Sequence, residues 1–157
     1  MQADRGFAQG EYAEALRADQ KSFGSNRSTG LGDSQSSEII KWIQTTTGGT
    51  SQILTLDLEP WKAYSLLILV TAKHRNATDA ASWSHVDQLA FLDAAASGAN
   101  LVPAAGNLAN KQSSGTGATL TAALSISGDN VRVDVTGNVG ETWEWTCSMR
   151  FVEAYVA

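Results

Sequence analysis

The chain has 157 residues, 43% of them hydrophobic and 17% charged, with a formal net charge of −5. That length suits one compact domain plus an appendage. The acidic balance, with no basic stripe to offset it, argues against nucleic acid and anionic membrane surfaces as partners.

Cys147 is the single cysteine, so an internal disulfide and a multi-thiolate zinc site are excluded. Met1-Gln2-Ala3-Asp4-Arg5 has no apolar core of the kind a secretory signal needs, and none is expected here. The longest apolar run, Leu66-Leu67-Ile68-Leu69-Val70, is strand-sized and far below the ~18 residues of a membrane span, so no membrane insertion is expected.

Residues 3–37 divide into five heptads: ADRGFAQ, GEYAEAL, RADQKSF, GSNRSTG and LGDSQSS. The sixth position is always small, being Ala8, Ala15, Ser22, Thr29 or Ser36. A narrow β-roll needs this pattern, with small side chains inside and glycine at the turns. Such rolls bury too little alone and stack or assemble. Part of the segment also fits a helix. Tyr12, Leu16, Asp19 and Phe23 recur at helical spacing between Gly10 and Gly24, and periodicity leaves both conformations open for residues 11–23.

From Glu38 the pattern turns to strands. The stretch 38–45 (EIIKWIQT) is β-branched and aromatic, and Gly48-Gly49 supplies a turn. Residues 51–57 alternate. Residues 63–73 are so apolar that a central strand buried on both faces is expected. Residues 82–93 read as another strand, and 101–117 as a loop with at most one short strand.

The last segments carry the clearest signal. Leu120, Ala122, Leu124 and Ile126 share one face, and Val131, Val133 and Val135 share another. Trp143, Trp145, Cys147, Met149 and Phe151 then line one side of the final strand. A sustained period of two marks a half-buried antiparallel strand. The expected fold is all-β: an N-terminal extended arm or β-roll repeat (1–37) followed by an antiparallel β-sandwich (38–157). Trp42, Trp143, Trp145 and Phe151 are placed in the core, with Ala8, Ala15 and Ser22 packing the arm or a trimer axis.

Several of these residues resemble a phage pattern. Gly32-Asp33-Ser34-Gln35, then Ile39-Ile40-Lys41-Trp42 and Thr45-Thr46-Thr47, are similar to a junction in bacteriophage tail-fibre and virion proteins. Trp61-Lys62-Ala63-Tyr64 leading to Leu69-Val70-Thr71-Ala72-Lys73 resembles the next strand of that group. Val133 through Trp145 (VDVTGNVGETWEW) resembles its closing motif. The heptads resemble the heads of trimeric YadA-type adhesins. Arg17, Arg27 and Leu31 depart from the small residues favoured there.

The resemblance implies a homotrimeric virion structural protein, made in the host cytoplasm. It implies a tail or head fibre component that contacts other virion proteins and a host-surface glycan or protein. A capsid decoration or cement protein, and an autoproteolytic or chaperone module of a fibre, are the alternatives.

No convergent catalytic set is expected, and no cofactor. His85 and Asp87 share a strand face, which turns Ser84 the other way and breaks a Ser-His-Asp reading. His74 and His85 lack metal-ligand spacing, so no metal site is expected. Cys147, between Trp145 and Met149, reads as a small buried hydrophobe. Binding is expected on the loops around 74–85 and 103–117, with His74, Arg75, Trp83 and His85 as candidates.

Overall fold

The computed structural model describes residues 7–9, 20–26, 34–92 and 98–155. Among these the chain is nearly all strand: β1 (Phe7–Gln9), β2 (Gln20–Asn26), β3 (Ser34–Thr45), β4 (Thr50–Asp57), β5 (Lys62–His74) and β6 (Ala80–Leu92). β7 (Ala99–Val102), β8 (Gln112–Ser113), β9 (Thr121–Ser127), β10 (Asn130–Thr136) and β11 (Trp143–Tyr155) follow, with one 3-10 turn at Gly115–Thr119. A large sheet runs β1-β2-β3-β11-β5-β6-β7, with β8 also paired to β6, and a small sheet runs β4-β10-β9. One face of each sheet contributes to the shared core.

The alternation read from the final segments builds that core. Trp143, Trp145, Cys147 and Met149 are fully buried, as are Val131, Val133 and Val135 facing them from the small sheet. Leu120, Ala122 and Leu124 point inward from β9, but Ile126 is exposed as the strand leaves the core. Tyr64, Leu66, Ile68, Val70 and Ala72 complete the inner face of β5. β5 is central in the sheet yet not buried on both faces. Its even-numbered residues are covered, whereas Ser65, Leu69, Thr71 and Lys73 face outward.

Two tryptophans sit opposite to their expected sides. Trp42, expected in the core, is 59% exposed on the outer face. Both parities of β3 are apolar, and Ile39 takes the inside, which sends Ile40 and Trp42 out. Trp83, expected at a binding loop, is 4% exposed. It pairs with inward Val70 and stacks on Trp145 at 5.7 Å.

The N-terminal segment joins the same sheet. β2 pairs antiparallel with β3, so the boundary drawn after residue 37 falls inside a strand. Residues 20–23 are strand, not helix; residues 11–19, including Ala15, lie outside the described residues. β1 pairs parallel with β2, aligning Ala8 with Ser22 two heptads later. Ala8 is exposed. Ser22 is fully buried and belongs to a polar strip on the inner face.

In that strip Gln20 Nε2 donates to Ser22 Oγ at 2.7 Å and Ser37 Oγ at 2.9 Å. Further along, Gln35 Nε2 and Lys62 Nζ each donate to Glu153 at 3.1 Å. Burial desolvates Lys62, but the charges of Glu153 and Glu59 hold its pKa above the ordinary value. A buried polar strip of this kind is tolerated because its members satisfy one another.

Candidate functional site

The outer face of the large sheet is divided along the strands. Toward one end, cross-strand pairing lines up Trp42, Thr146, Thr71, Ser82 and Gln112 on five neighbouring strands. The adjacent row carries Glu144 beside Lys73. Together with Ser113 and Ser114 these form an open groove of about 620 Å³. At four strand spacings of ~4.8 Å, the row is roughly 19 Å long. It presents one exposed indole face, three hydroxyls and an amide, flanked by a carboxylate and an ammonium. That combination suits a ligand with apolar C–H faces and many hydroxyls.

The wall of the groove is held by a clamp at the same end of the sandwich. Ser114 exchanges two hydrogen bonds with the backbone of Ala80: its N–H donates at 2.9 Å and its Oγ accepts at 3.1 Å. Asp79 Oδ2 accepts the Thr116 N–H at 3.0 Å and hydroxyl at 2.9 Å. Glu141 Oε2 accepts Asn138 Nδ2 and Trp143 Nε1, each at 2.9 Å, and lies 3.2 Å from the Thr116 hydroxyl.

These bonds to the charged form hold both carboxyls below their ordinary pKa values, Asp79 chiefly through the Thr116 N–H and Glu141 through Asn138. A carboxyl that donates a proton near neutral pH needs the opposite shift. The pair is therefore suited to clamping loops, not to general acid work.

The expected binding residues fall in different places. His74 is half-buried and meets Trp143 edge-on at 5.1 Å, while its Nδ1 accepts the Asn76 N–H. Arg75 is exposed beyond it, its N–H bonded to the Thr142 carbonyl. His85 anchors a loop. Its Nδ1 accepts the Ala109 N–H at 3.2 Å, which leaves the proton on Nε2, 3.0 Å from Gln88 Oε1. Gln88 Nε2 in turn donates to the Pro103 carbonyl at 2.7 Å.

His74 at the end of β5 and His85 within β6 thus hold separate loops. Among the described residues no group of three or more His, Cys, Asp or Glu is placed to hold a metal. Trp83 receives Lys111 over its ring at 5.3 Å, inside the fold. Cys147 is buried among apolar groups, and desolvation pushes its pKa up to about 12.

Sequence reasoning missed the groove. Trp42 was assigned inward, and its polar neighbours come from segments far apart in the chain. Strict alternation on β11 was the available signal, since it sets Thr146 opposite the core face.

The chain matches no protein-family profile and no curated protein. Among solved structures it is similar to the tailspike protein gp49 from Acinetobacter baumannii bacteriophage Fri1, a capsular polysaccharide depolymerase. The identity is 10% and the TM-score 0.43, over 88% of this chain and 20% of the tailspike chain. This chain therefore spans about a fifth of the tailspike's length. The depolymerase activity is stated of the tailspike.

Proposed function

We propose that the chain is a non-enzymatic structural module of a bacteriophage virion, a homotrimeric tail or head fibre component that holds a host-surface saccharide in the Trp42 groove. The row Trp42–Thr146–Thr71–Ser82–Gln112 carries this reading. Its indole packs on the apolar face of a sugar ring, and its hydroxyls and amide hydrogen-bond the ring oxygens. The phage-like motifs support the virion assignment: Val133 through Trp145 forms the end of β10, a turn and the start of β11.

Titration with purified capsular and lipopolysaccharide glycans, followed by tryptophan fluorescence, tests the groove. A saturable change in the native chain that is lost in Trp42→Ala is expected. A panel without any saturable binder, or an unchanged response in Trp42→Ala, overturns the saccharide reading. Immunogold labelling of virions tests the location. Label on a tail or head fibre is expected, and label spread evenly over the capsid shell would identify a decoration protein instead.

A further inference from the structure

Beyond the groove, the outer face of the large sheet changes character. Ile40, Leu69, Val86, Leu89 and Val152 are between 38% and 56% exposed there. A depression of about 290 Å³ lies among Leu67, Val86 and Val152. The outer face of the small sheet is quite different. It is laced by polar contacts: Arg132 with Asp134 at 3.2 Å, Thr50 with Thr136 at 3.0 Å, and Ser125 with Asp134. One sheet is finished for water and the other is not. Contiguous exposed apolar surface larger than a few hundred Å² marks an interaction face.

We infer that this apolar half is the surface through which copies of the chain associate, an inference that rests on the homotrimer proposed above and specifies its interface. Two observations favour a second copy as the occupant. The first is area. From Ile40 back to Ser34 the strands run about 20 Å, and the six strands β2, β3, β11, β5, β6 and β7 span about 24 Å. That gives roughly 500 Å² per copy and roughly 1,000 Å² for a pair, the lower limit for a specific interface.

The second is charge. The whole chain carries −5, so copies repel in general. Among the described side chains of this half the charged ones facing outward are Lys21, Glu38 and Arg150, lying in one cross-strand row. Glu38 accepts Arg150 Nε at 3.0 Å and the Ser148 hydroxyl at 2.8 Å. With its acid paired to Arg150, this face does not share the negative charge of the chain as a whole, so acidic copies repel less across it than elsewhere. β2 completes this half, so assembly lies on the N-terminal side of the face and the saccharide groove stays open beyond it.

Size-exclusion chromatography with light scattering on the full chain tests the inference, comparing native protein with Val152→Asp and Val86→Lys. Both side chains are exposed, so the fold is expected to persist, checked by circular dichroism. Should one variant unfold, Leu89→Lys takes its place. The native chain is expected to assemble at micromolar concentration, and each variant to assemble at least tenfold more weakly. A native monomer, or variants that assemble like the native chain, overturns the inference.

A native dimer dissolved by the same variants supports this interface while overturning the trimer. Trp42→Ala is expected to assemble normally. Its loss of saccharide response bears on the groove alone, so the two readings fail separately.

Discussion

Thr45→Val removes one hydroxyl from the core and keeps its shape. Thr45 is 4% exposed, and its Oγ1 accepts the Nε1–H of fully buried Trp145 at 2.9 Å. In the valine variant that N–H faces a methyl group with no water in reach. The cost combines a lost hydrogen bond and a stranded donor, about 1–3 kcal/mol. Thr45→Ser keeps the acceptor and deletes one methyl, at about 1 kcal/mol or less. Urea denaturation followed by tryptophan fluorescence measures the difference, at one fixed chain concentration because assembly shifts apparent stability. A loss of ~2 kcal/mol corresponds to a Tm drop of roughly 4–8 °C at this chain length. Trp145→Phe removes the donor itself, so the double variant should fall short of additivity by about 1 kcal/mol. Equal stability of the Val and Ser variants, or strict additivity in the cycle, would refute the role of this bond.

Other outcomes follow from the same packing. Cys147 should resist thiol reagents in the native state at pH 8 and react on unfolding, because burial suppresses its thiolate; prompt native labelling would contradict this. Gly117→Ala should destabilise the fold by about 1–3 kcal/mol, since a Cβ there meets the Ala80 carbonyl oxygen; a neutral result in thermal melts would count against the close approach.

The loop clamp should be acid-sensitive. Asp79 and Glu141 have folded pKa values below their ordinary 3.8 and 4.5. Their stabilisation is in place above about pH 4.5 and is lost as pH falls through the lower folded values. The Trp143 indole N–H resonance should therefore titrate with a midpoint below 4.5, and a midpoint above it would remove the clamp from the explanation.

Much of the sandwich was legible because period-two patterning records which side of a strand meets the core. On β10 and β11 one parity is uniformly apolar and the other polar, so Val131, Val133, Val135, Trp143, Trp145 and Phe151 were placed inward from sequence, and they are buried. β3 and β5 are apolar on both parities, and the pattern stops being decisive there. Trp42 was misplaced for that reason. Trp83 was misplaced because a preceding polar loop suggested a surface that Val70 and Trp145 in fact cover. The groove was illegible because Trp42, Thr71, Ser82, Gln112 and Thr146 come together only through strand pairing.

The sequence by itself determined an all-β chain without an internal disulfide, with its last strands in known orientation. Alternation and cysteine count are local properties that need no knowledge of partners. Only the tertiary structure decided that β2 extends the large sheet, that Trp42 faces outward and Trp83 inward, and that the outer face divides into a polar groove and an apolar half. Each of those depends on which strand lies beside which. Residue 45 pairs with residue 143, and no local pattern encodes a contact across that separation.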